Sequence, residues 1–398
     1  MWASRSRVVL PALLCLLLAA CVSRPSGSVQ AHSSSSTPPS TADTSAPSNA
    51  PAGPEALVTT ALNRLDLRER VAQLFLVGVP LDDLDAGGPI VRSGVGGVFL
   101  AGRSAIAADD LAATTAQWQA DAPVPGLWVA VDQEGGAVQS LKGPGFARLP
   151  SALAQGALPP DQLAALAGDL GKALHVAGVN LDLAPVADIV PAGTEERNPP
   201  VGSFDRQYGS TARAVVGAAG TVVDGLYDAG VTATLKHFPG LGRVQGDTDT
   251  TAGVTDGVTT ADDDQVAAFG TLARSGGRPF VMVSSATYSR LDPKNQAMFS
   301  SAVVTGLLRD RLGFEGVILS DDVGNAEAVQ AVSPGERAVR FLEAGGTMVL
   351  TVDPDDVPAM IEAVVNRSRG DTGFARTVDE AVRTALLAKA RAGLLPPD

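Results

Sequence analysis

Residues 231–242 read VTATLKHFPGLG. The first five are β-branched or apolar, a composition that favours an extended strand over a helix. Lys236 and His237 stand where that strand ends, just before a Pro-Gly pair that turns the chain. A strand that is apolar on both faces and then ends abruptly in charge suits a parallel sheet covered by helices, whose polar groups belong at the rim.

Seven other runs have the same character: VAQLFLVGV (71–79), VGGVFLAG (95–102), GLWVAVD (126–132), VNLDLAPV (179–186), PFVMVSSA (279–286), GVILSDD (316–322) and TMVLTVD (347–353). Between them lie amphipathic stretches such as PDQLAALAGDLGKALHVAG, STARAVVGAAGTVVDGLYDAG and GERAVRFLEAGG, each closing on the glycine expected after a helix. Eight strands alternating with helices predict a (β/α)8 TIM barrel. An open doubly wound sheet would share the alternation, but no G-x-G-x-x-G occupies a first strand-to-helix turn.

Polar residues recur at the C-terminal ends of these strands: Asp132 after WVAV, Asp188 after LAPVA, Lys236 and His237 after TATL, Ser284 and Ser285 after VMV, and Asp321 after VILS. That rim is where barrel enzymes assemble their active sites.

The 398 residues are 45% hydrophobic, enough for one large core spanning residues 55–398. A formal charge of -13 argues against nucleic acid or an anionic membrane surface as a partner. Residues 1–21 read as an export signal: Arg5 and Arg7 precede the apolar run VVLPALLCLLLAA, which is too short for a comfortable membrane span. LAAC, ending at Cys21, resembles a bacterial lipobox, so Cys21 is the expected lipidation site and the protein is expected at the extracytoplasmic face of the cell membrane. Residues 22–54 are rich in Ser, Thr, Pro and Ala and read as a disordered tether, in which His32 is inert.

Three chemistries suit a charged barrel rim. A nitrogen-rich zinc site cannot be assembled, because beyond the tether only His175 and His237 remain, with no H-x-H or H-E-x-x-H. His175 lies on a predicted helix and reads as a surface or packing residue. Schiff-base chemistry at Lys236 would need a depressed pKa, which His237 and the nearby carboxylates do not favour. Paired carboxylates remain, and they suit glycoside hydrolysis: a nucleophile, with a second group roughly 5 Å away that protonates the leaving oxygen. Asp321 has the rigid mounting of a nucleophile, whereas Asp322 better suits an N-cap.

Four stretches, VDQEGGAVQSL, GVNLDLAPVADI with NPPVGSFDRQYG, TLKHFPGLG and GFEGVILSDDVG, together resemble glycoside hydrolase family 3, in particular its single-barrel β-N-acetylglucosaminidase branch. The resemblance implies that Asp321 forms a glycosyl-enzyme intermediate. It also implies that Asp132, Arg206, Lys236 and His237 hold the sugar hydroxyls. No cofactor or metal follows from it, and a monomer is expected.

The chain departs from the family pattern in three places. Reaching Arg206 requires a small insertion. The family's Asp-His acid/base pair is replaced by GDTDT, so Asp249, or alternatively Asp247, is the candidate acid/base, against the plainer reading of both as turn residues. Ala137 and Ser140 stand where the family commonly has arginines, with Lys142 as a candidate substitute. Gly135 and Gly136 either admit the ligand or shape a turn.

The expectation is therefore an exported, retaining exo-β-N-acetylglucosaminidase acting on β-linked amino sugars of peptidoglycan-derived fragments. The alternatives are another β-glycosidase or a phosphorylase of the family, or a catalytically weak saccharide-binding lipoprotein.

Overall fold

A computed structural model describes residues 53–124 and 126–395. The expected signal, Cys21, His32 and the tether up to residue 52 lie outside the described residues. Each of the eight extended runs contains a strand: β1 (Phe75–Pro80), β2 (Gly97–Ala101), β3 (Trp128–Val131), β4 (Leu181–Asp182), β5 (Thr232–Phe238), β6 (Phe280–Val283), β7 (Ile318–Ser320) and β8 (Val349–Thr351). They form one parallel sheet in chain order, with β8 returning to pair with β1. Between β7 and β8 a parallel bridge joins Leu319 to Met348, and Ser320 N donates to Met348 O at 3.0 Å, which closes the barrel. The fold is the (β/α)8 barrel.

The strands are shorter than their apolar runs, for local reasons. Residues 71 and 72 belong to the helix Leu67–Ala72, held by a capping box in which the Asp66 side chain and Glu69 exchange hydrogen bonds with each other's backbone N–H. β4 stops early because Pro185 has no N–H to give to the ladder, though Ala187 N still reaches Lys236 O at 2.8 Å. The helices Pro160–Val176, Ala212–Asp228 and Pro334–Glu343 lie where their apolar spacing predicts. Each is followed by a glycine at positive φ: Gly178, Gly230 and Gly345 at 73°, 82° and 102°. His175 is exposed near the end of its helix.

Near the N-terminal ends of β3 and β6, Trp128 and Phe280 meet edge to face with centroids 5.2 Å apart. On the C-terminal helix Thr372–Arg391, the buried Lys389 donates to Gln73 Oε1 at 2.6 Å. The opposite, C-terminal ends of the strands carry the polar residues.

Candidate active site

At that C-terminal rim a cavity of about 340 Å³ opens. Phe99, Leu183, Met282 and Leu350 supply apolar lining from four different strands or strand ends, and Asp132, Arg206, Lys236, His237, Asp247, Asp249 and Asp321 supply the polar lining. Asp321, Asp249, Asp247, Asp132, Arg206, Lys236 and His237, singled out as catalytic or sugar-binding from the sequence, therefore meet in one place.

Lys236 ends its run on β5 with its ammonium buried. Its Nζ lies 2.6 Å from Asp132 Oδ1 and 2.7 Å from Glu134 Oε1. Glu134 in turn takes a two-pronged contact from Arg206, Nε to Oε2 at 2.9 Å and Nη2 to Oε1 at 2.7 Å. Burial alone would raise the Glu134 carboxyl, but the charges of Arg206 and Lys236 overcome it and bring it down to about 2. Burial likewise works against the Lys236 ammonium, and Asp132 and Glu134 more than offset it, so its pKa rises. Lys236 is a charged hydrogen-bonding group, not a Schiff-base amine.

Glu134 was not singled out from the sequence. The available signal was its i, i+2 spacing from Asp132 at a strand end, which points two carboxylates the same way.

Close to this cluster Asp182 is fully buried, with Oδ1 accepting from Gln133 N at 3.1 Å and Oδ2 without a hydrogen-bond partner among the described residues. Burial raises its pKa to about 8, which keeps it a neutral acid at neutral pH.

His237 is oriented from behind. Its Nδ1 donates to Asp188 Oδ2 at 2.8 Å, while Asp188 Oδ1 accepts the backbone N–H of His237 and Leu241 at 3.0 and 2.9 Å. That fixes the ring and leaves Nε2 for the cavity. Asp188, foreseen only as a polar strand end, thus serves as an orienting group. The Ser284 and Ser285 pair does not line the cavity. Ser284 Oγ instead accepts from Ala286 N at 3.0 Å.

Asp321 follows β7 and its N–H donates to Val283 O at 3.1 Å, so two neighbouring strands fix its backbone. Loss of water raises its carboxyl above the ordinary value, with the nearby His237 acting against the rise. Asp322 is the local organiser. It accepts four backbone N–H groups, from Gly324, Val352, Asn325 and Ala326, at 2.8, 2.9, 2.9 and 3.2 Å.

The loop with GDTDT reaches over the same cavity. It is docked by backbone bonds from Glu327 N to Asp249 O and Ala328 N to Thr248 O, both 3.1 Å, while Asp249 N donates to Asp247 Oδ1 at 3.0 Å. Asp249 stands exposed at the mouth, yet crowding of its carboxyl by protein raises it to about 6, helped by repulsion from Asp321 and Asp247. Buried Asn198 donates to Leu241 O at 2.7 Å and to Val244 O at 2.9 Å and accepts from Gly202 N at 2.8 Å. It ties the segment bearing Arg206 to the loop after β5.

Two expectations are settled by packing. Gly135 and Gly136 have φ of 101° and 56°, and a Cβ on Gly135 would lie 2.3 Å from Pro150 O, so the pair shapes a hairpin turn. Lys142 does not line the Asp321 cavity and so does not replace the missing arginines there.

The fold has clear counterparts. A β-N-acetylhexosaminidase from Beutenbergia cavernae superimposes with a TM-score of 0.79 and 47% identity, covering 82% of this chain and 98% of that one. A glycoside hydrolase family 3 β-N-acetylglucosaminidase from a Paenibacillus species gives 0.74 and 29%, covering 83% and 63%. The beta-hexosaminidase LpqI of Mycobacterium tuberculosis is 33% identical over 328 residues, 80% of this chain and 81% of its own length. Residues 66–385 match the Glycosyl hydrolase family 3 N terminal domain, and the chain belongs to that family.

Proposed function

We propose that the protein is a retaining exo-β-N-acetylhexosaminidase in which Asp321 is the nucleophile and Asp249 the acid/base. The observation that carries this reading is the meeting of Asp321 and Asp249 in one cavity with the Asp132, Lys236, Glu134 and Arg206 cluster. A cavity of about 340 Å³ suits one terminal amino sugar. Asp132, Arg206, Lys236 and His237 hold its hydroxyls, and charged hydrogen bonds that tighten as the ring flattens favour the oxocarbenium-like transition state.

In the first step an Asp321 oxygen bonds to the anomeric carbon, the glycosidic bond breaks, and the Asp249 proton passes to the departing oxygen. In the second, the Asp249 carboxylate takes a proton from water, whose oxygen bonds to the anomeric carbon as Asp321 leaves. Asp247 repels negative charge on Asp249 and so helps keep it protonated for the first step.

The leader ending at Cys21 and the tether after it support placement as a lipoprotein outside the cytoplasmic membrane, acting on peptidoglycan-derived amino sugars. One acyl chain binds weakly, so a firm anchor needs more than one.

The test is trapping with a fluorinated N-acetylglucosaminide followed by peptide mapping. Label on Asp321 is expected, and label on any other side chain sinks the assignment. A panel of nitrophenyl glycosides, with and without phosphate, checks the sugar and the acceptor.

A further inference from the structure

Asp182 closes β4 and takes no part in the chemistry above. Its ladder partner on β3 is Val131, and Leu183 N donates to Val131 O at 2.8 Å. Gln133 lies beyond that ladder, in the hairpin, and the Asp182 side chain catches its N–H, with Oδ1 accepting at 3.1 Å. Gln133 stands between Asp132 and Glu134, the two carboxylates that bind Lys236. Its own side chain clamps the returning leg of the hairpin, Nε2 to Leu141 O and Leu141 N to Oε1, both at 2.9 Å. One side chain on β4 thus holds the peptide on which both carboxylates are mounted.

The carboxyl that does this is placed as an uncharged acid. It is 0% exposed, Oδ2 has no hydrogen-bond partner, and no cation pairs with it among the described residues. A carboxylate there would lose its water without gaining a counter-charge in contact. Burial accordingly pushes it up to about 8, opposed by the Gln133 N–H and the Lys236 charge and aided by repulsion from Asp132 and Glu134. Tyr208, on the segment that carries Arg206, also senses Asp182. Burial, then the charges of Glu134 and Asp182, push its phenol up and keep it neutral. Arg206 is committed to Glu134.

We infer that Asp182 is a positioning residue for sugar binding: uncharged, it holds the hairpin that bears Asp132 and Glu134 in its binding geometry, and ionised, it weakens the grip on the sugar. The inference rests on the hydrolase reading above, in which Asp132 and Lys236 hold sugar hydroxyls. Asp132 and Glu134 balance Lys236 and Arg206. A third negative charge on Asp182 repels the two carboxylates and draws on Lys236, where little water screens it.

The first experiment measures N-acetylglucosamine binding to the full-length protein by calorimetry at pH 7 and pH 9.5. Wild-type affinity is expected to fall about tenfold between them, the worth of one charged hydrogen bond, and the affinity of Asp182→Asn, which cannot ionise, is expected to stay level. Asp182→Ala leaves Gln133 N without its acceptor and is expected to bind about tenfold more weakly at both values. The second experiment follows urea midpoints with pH. Between 3.8 and about 8 the folded chain keeps the Asp182 proton and the unfolded chain does not, so wild-type stability from this group declines across that window. The midpoint of Asp182→Asn relative to wild type is expected to climb over the same range and to level off above it.

Parallel loss of affinity in wild type and Asp182→Asn overturns the inference, because the titrating group then lies elsewhere. So does a midpoint difference that stays constant with pH, or wild-type affinity in a folded Asp182→Ala. If wild type binds no N-acetylglucosamine at pH 7, the amino-sugar reading fails instead, and the urea series decides whether Asp182 is held uncharged.

Discussion

Glu134 Oε1 lies 2.7 Å from Lys236 Nζ, with both side chains only 3% exposed. Asp132 and Arg206 complete the cluster, so two negative and two positive groups balance where water is scarce. Such a set tolerates burial only while it stays complete.

Glu134→Gln leaves two cations facing Asp132 alone. The expected loss of stability is about 3–5 kcal/mol, the usual cost of breaking a buried pair, read as a lower urea midpoint. The folded Glu134 carboxyl sits at about 2 against an ordinary 4.5. Its contribution is therefore fully present above about 4.5 and fades as pH falls toward 2. The variant's deficit should shrink on acidification, and a deficit constant between pH 7 and pH 3 would contradict this account.

At the other end of the barrel, burial pushes the Lys389 ammonium from 10.5 down to about 7, with Gln73 Oε1 as its hydrogen-bond partner. Between those values the unfolded chain holds more protons than the folded one, so this group makes stability rise with pH across that window. Lys389→Met is expected to stabilise the protein at pH 7, and the gain is expected to be smaller at pH 9.5. Urea unfolding at both values checks it, and a gain independent of pH would show that Lys389 is not held near 7.

The barrel was legible because each of its eight strands lies in its own apolar run and five of those runs close on polar residues, which are local signals. The positions of Asp132, Lys236, His237 and Asp321 follow from the same ends. What local pattern does not carry is the second layer. Glu134 matters through Arg206, 72 positions away, Asp188 through His237, 49 away, and Asn198 through Leu241, 43 away. Their roles exist only once the chain has folded. Strand lengths escaped for a different reason, since Pro185 and the capping box at Asp66 override apolar composition.

Asp188→Asn tests the orienting contact on His237. The amide keeps the size and can still accept from the backbone, but its NH2 would face Nδ1 and drive the ring proton to Nε2. Turnover is expected to fall about tenfold to hundredfold, the worth of one charged hydrogen bond, with the circular dichroism spectrum unchanged. Full activity in Asp188→Asn would mean that the ring's protonation pattern does not matter to the reaction.

Asp249 has to be protonated when the glycosidic bond breaks, and its carboxyl sits at about 6. The rate should therefore fall as pH rises through about 6, while the low-pH limb follows ionisation of Asp321, itself raised by burial. Asp247→Asn removes one of the charges that raise Asp249, so the high-pH limb is expected to move to lower pH. Asp249→Ala is expected to cost about 10²–10⁴-fold on a natural disaccharide and far less on an aryl glycoside whose leaving group needs no proton. Azide should then restore turnover of the trapped intermediate, because it attacks without a base. A high-pH limb unmoved by Asp247→Asn, together with equal losses on good and poor leaving groups in Asp249→Ala, would place the acid on another residue.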